Sequence, residues 1–88
     1  MRAAPSRNAD HWLAILDRLF LQMIDQQERK VLDLARQTVP DLTREDLRNP
    51  QDFPALARDA DFTYEDGVLA GLRSAHMAVR VELRENET

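Results

Sequence analysis

The stretch Asp59-Ala-Asp61-Phe-Thr63-Tyr-Glu65-Asp66 places oxygen-bearing side chains at alternate positions, the way a calcium-binding loop opens. Such a loop needs glycine at its sixth position, for a sharp turn, and a bidentate glutamate at its twelfth. Those positions hold Tyr64 and Ala70. The same acids have a simpler use. Thr63 with Asp66 three residues later fits the start of a helix at Thr63, where a hydroxyl caps the first turn and carboxylates sit at its positive end. The pattern predicts a helix start and no metal.

His11 and His76 are the only imidazoles. His11 precedes Trp12 near a chain end and is expected to be exposed. His76 lies at the margin of an apolar face, which predicts a partly buried, hydrogen-bonded histidine. No Glu-x-x-His pair occurs, so a di-iron carboxylate bundle lacks its ligand set. Among the hydroxyls, Ser74 is nearest to a base, two residues before His76, but side chains two apart on a helix do not face one another. Gly67 and Gly71 fall inside a helical pattern, not between a strand and a helix, so they form no phosphate loop. With no cysteine there is neither disulfide nor thiolate metal site. The chain is expected not to be an enzyme, with no catalytic residue, no metal and no cofactor assigned.

Composition narrows the partners. The 88 residues are 43% apolar and 32% charged, which suits one soluble helical domain. The net charge of −4 is concentrated in residues 39–66, which carry eight acids against Arg44, Arg48 and Arg58. These acids serve as caps and keep a small bundle soluble; the functional alternative is a field that steers a basic partner. An acidic chain repels phosphate backbones, so nucleic acid is an unlikely partner. A helix-turn-helix reader would need a basic recognition helix, and the best-formed helix, residues 62–83, is mostly apolar. No apolar run approaches the ~18 residues of a membrane span, and the start MRAAPSRNAD lacks a secretory apolar core. The expectation is no membrane, with a cytoplasmic location as the default.

These residues must be positioned by helices. Residues 1–7, with Pro5, read as a loose arm. Residues 8–38, with Asn8 or Ser6 as cap, read as a long helix. Its stripe is Leu13, Leu16, Phe20, Met23, Ile24, Val31, Leu34 and Ala35, with Gln27 the one polar residue in the middle. Val39-Pro40 ends it. A second line, Ala14, Leu21 and Leu32, crosses its back. Residues 39–62 form a connector broken by Pro40, Pro50 and Pro54, with short helical turns. Thr43 with Asp46 suits a capping box, and Asn49-Pro50 a cap followed by proline at the first helical position. Leu42, Leu47, Phe53, Leu56 and Phe62 are spaced as anchors for this segment. Residues 63–85 form the second long helix and 86–88 a polar tail. Winding at 100° per residue puts Tyr64, Val68, Leu72, Ala75, Val79 and Leu83 on one face. A strip of small residues, Gly67, Gly71, Ser74, Ala75 and Ala78, runs beside it, and Ala70, Met77 and Val81 form a third uncharged strip. Each mid-helix glycine costs about 1 kcal/mol, which predicts that another backbone comes close, either the first helix or one across a subunit interface.

The expected fold is all-α: two long antiparallel helices and a proline-broken connector, completed to a four-helix bundle by homodimerisation. The interface candidates are Gly67, Gly71, Ser74, Ala78, Met77, Val81, Leu21 and Leu32. The expected function is an association module that self-assembles, docks a partner protein, or both. A small-molecule or metal-binding bundle around His76 and Tyr64 is the alternative, and a nucleic-acid-binding regulator a weaker one.

Overall fold

The computed structural model describes the backbone of residues 3–85 and the side chains of residues 10–85. Two long helices, α1 (Ala3–Thr38) and α3 (Ala60–Glu85), pack antiparallel. Between them run two 3-10 turns, Asp46–Arg48 and Pro50–Asp52, and a one-turn helix, α2 (Pro54–Ala57). The described residues contain no strand, and no helix among them is long and apolar enough to cross a membrane.

Helix ends follow local chemistry, with two corrections. The first helix begins at Ala3, not residue 8, so residues 3–7 are helical and not a loose arm. Pro5 is accommodated because it lies in the first turn, where a backbone N–H has no helical partner. Residues 1, 2 and the expected tail 86–88 lie outside the described residues. The second long helix begins at Ala60, not Thr63. Asp59 is the cap: its Oδ1 accepts the Phe62 N–H at 2.9 Å and its carbonyl accepts the Thr63 N–H at 3.0 Å. Aspartate caps at least as well as threonine, so the helix gains a turn and absorbs Thr63.

The connector behaves as its sequence suggests. Thr43 Oγ1 accepts the Asp46 N–H at 3.2 Å, and Asp46 Oδ2 accepts the Thr43 N–H at 3.0 Å, a reciprocal capping box. Pro50 and Pro54 each open a turn, where φ is already set and no N–H is needed. Asn49 caps only through its backbone: its carbonyl accepts the Asp52 N–H at 3.0 Å, and its side chain makes no capping bond.

The core gathers at one end of the hairpin. Val31, Leu32 and Ala35 of α1, Leu42 and Leu56 of the connector, and Phe62 and Leu69 of α3 are buried together. Ile24, Val39, Leu47 and Phe53 pack against them, so all five anchors named above are in use. Three expectations fail here. Leu32 belongs to this core and is not an interface residue, because the connector folds over the back of α1. Tyr64 is 70% exposed, because α3 packs with Phe62 and Leu69, not Tyr64, turned into the core. Among the described residues nothing lies within 4 Å of a Cβ added at Gly67 or Gly71, so the described part of α1 does not approach the small-residue strip.

Candidate functional site

Ion pairs settle which edges of α1 and α3 lie side by side. On one side Lys30 Nζ meets Glu65 Oε2 at 3.2 Å. On the other Glu28 Oε2 accepts from Arg73 Nη2 at 2.6 Å, and Arg80 Nη1 lies 3.7 Å from Asp17 Oδ2. A 3.6-residue helix repeats each edge along its length, so these pairs mark two lateral faces of the hairpin.

The half of the hairpin away from the connector, residues 10–23 and 72–85, contains no fully buried side chain. It is only two helices thick. On its lysine-marked side, α1 presents Trp12, Leu16, Leu19 and Met23, and α3 presents Leu72, Ala75 and Val79, with Val68 one turn below. Both sets are spaced four, three and four residues apart, and none of the eight positions is charged. On the arginine side, Leu21, Ile24, Met77 and Val81 line a cleft of about 510 Å³ whose wall is Arg73, Arg80 and Arg84. Among the large apolar side chains, Trp12, Leu19, Leu21, Met23, Met77 and Val81 are 37–64% exposed, all in this half.

Between the faces, polar groups replace hydrophobic core. His76 has a side chain only 12% exposed; it stacks on Phe20 at 5.3 Å between ring centroids, and its Nε2 lies 2.7 Å from Asp17 Oδ1. Gln27 Nε2 donates to the Glu65 carbonyl at 2.9 Å and to Glu65 Oε1 at 2.8 Å. That hydrogen bond, with Lys30 beside it, holds the Glu65 carboxyl below its ordinary pKa. The neighbouring Asp66 is pushed the other way by burial, with Arg73 opposing. Glu28 clasps the connector and α3 together, its Oε1 accepting from Arg44 Nη1 at 2.8 Å while Oε2 takes Arg73. A polar cleft of about 650 Å³ beside this clasp is lined by Arg44, Arg48, Glu45 and Asp66, so its charges offset one another.

Of the interface candidates, Leu21, Met77 and Val81 come together in the arginine-side cleft. Gly67, Gly71, Ser74 and Ala78 lie exposed on the outer surface of α3, and Leu32 is in the core. The calcium-like acids disperse: Asp59 caps α3, Glu65 turns to Gln27, and Asp61 and Thr63 face solvent. Among the described residues no three His, Asp or Glu side chains converge as a metal site would require. The Asp17 partner of His76 and the Glu28 clasp were missed in the sequence, since both pairings cross from one helix to another. Gln27 did carry a signal, because a polar residue inside an apolar stripe needs a partner. Comparison of the chain with protein-family models, curated proteins and solved structures found no match in any of the three.

Proposed function

We propose that the chain is a non-enzymatic association module that pairs with a second copy of itself through the uncharged face of its open half, completing a four-helix bundle there. The observation that carries this is the one-sided core: the connector covers one half of the hairpin, and the other half leaves Trp12, Leu19 and Met23 exposed on this face. The total surface supports it. A compact monomer of 10.2 kDa exposes roughly 5300 Å², whereas this chain exposes 6394 Å². The excess, roughly 1100 Å², is more than the ~800 Å² that each partner contributes to a stable interface. The radius of gyration, 17.2 Å, likewise exceeds the about 12 Å of a compact chain of this length.

Charge selects the face. A two-fold axis sets each surface against its own copy, so a charged face meets like charge. The strip Trp12, Leu16, Leu19, Met23 with Val68, Leu72, Ala75 and Val79 avoids that cost, and the arginine side does not. Light scattering after size exclusion should give twice the chain mass at micromolar concentration. Leu19→Glu should give the single-chain mass with helical circular dichroism retained, because Leu19 is half exposed in one chain. A wild-type monomer throughout the accessible concentration range overturns the reading.

A further inference from the structure

We propose that the arginine-side cleft of the open half docks an acidic amphipathic helix of another protein. Its floor is mainly apolar, from Leu21 and Ile24 on α1 and Met77 and Val81 on α3, with His76 also lining it. Arg73, Arg80 and Arg84 stand along its α3 wall. At 1.5 Å per residue that row is roughly 16 Å long, three turns of an occupant helix. Two acids of the α1 wall are already engaged: Asp17 with His76 and Arg80, Glu28 with Arg44 and Arg73. Arg84 has no ion-pair partner among the described residues, and Arg80 reaches Asp17 only at 3.7 Å. A guanidinium carries five donors and binds a second carboxylate without giving up the first.

An apolar trough with cations on one wall is the complement of a helix with leucines on one face and carboxylates on its flank. A second copy fits poorly, because a two-fold through this cleft sets the arginine row against itself. This cleft is the opposite face from the proposed dimer contact, so the two readings fail separately.

The test uses the full chain and two synthetic helices of about 18 residues, each with leucine on one face. One carries glutamate on the flanks and the other lysine at the same positions. By calorimetry the glutamate peptide should bind saturably, about tenfold or more tighter than the lysine peptide, and lose affinity several-fold between about 50 and 300 mM salt. Val81→Glu and Arg84→Glu, both at exposed positions, should each weaken it about tenfold with helicity and oligomeric mass unchanged. Leu19→Glu should leave it intact. Equal binding of both peptides, binding of neither, or binding untouched by Val81→Glu and Arg84→Glu overturns the proposal. Sedimentation with phosphatidylserine vesicles, in place of glutamate-peptide binding, overturns it in favour of a lipid surface.

Discussion

The two halves of the hairpin use the same helices to different ends. Near the connector, Leu42 and Leu56 lie over α1 and α3, and Val31, Ala35, Phe62 and Leu69 are sealed beneath them. In the open half no described residue lies over the helices, and His76, paired with Asp17 and stacked on Phe20, sits between them. The amphipathic repeat continues along both helices without a break. Burial needs a third layer, and among the described residues one is supplied at only one end. A two-helix pair cannot exclude water from its own seam, which is why the proposed association surface is placed in the open half.

The contrast can be broken most directly by truncating one leucine in each half. Leu56→Ala should cost about 2–5 kcal/mol in urea unfolding, since its side chain is fully buried in the core. Leu21→Ala, at a position 56% exposed, should cost no more than about 0.5 kcal/mol. Similar values at the two sites would erase the distinction between the halves.

The junction between connector and α3 sharpens it next. Asp59→Ala removes the carboxylate that accepts the Phe62 N–H, at the point where Phe62 enters the core. Thermal unfolding should report a loss of about 1 kcal/mol. Thr63→Ala should change stability far less, since Thr63 is exposed within α3 and does not cap it. The reverse order would restore Thr63 as the cap.

On the outer surface of α3, Gly71→Ala should stabilise by up to about 1 kcal/mol, because an added Cβ meets nothing within 4 Å and helix propensity rises. A fall in melting temperature would show that the strip is covered in solution, and would move the dimer contact onto it.

The smallest effects are electrostatic and of opposite sign at adjacent residues. The lowered pKa of Glu65 contributes stability at neutral pH that is lost as pH falls through its folded value. The raised pKa of Asp66 works the other way: its ionised form costs stability at neutral pH, and that cost fades as pH falls. Denaturation at pH 7 should therefore show Glu65→Gln destabilised and Asp66→Asn stabilised. Both differences should shrink near about pH 3, below the ordinary carboxylate values. Shifts of the same sign at both positions would contradict the divergent environments of the two carboxylates.

The sequence by itself determined what is local. Stripe spacing sets the two helices, Val39-Pro40 ends the first, Pro50 and Pro54 open turns, and Thr43 with Asp46 closes a capping box. Each depends on residues no more than four apart, within one turn of chain. At the start of α3, two competent caps stood four residues apart, Asp59 and Thr63, and local pattern did not rank them. Only the tertiary structure decided which apolar strip is inside. Leu32, on a line that also contained the exposed Leu21, went into the core because the connector folds over that end of α1. Tyr64 went outside and His76 inside for the same kind of reason, with His76 meeting Asp17 across a separation of 59 residues. Helical periodicity fixes which residues share a face; which face is covered depends on where the rest of the chain is brought to pack.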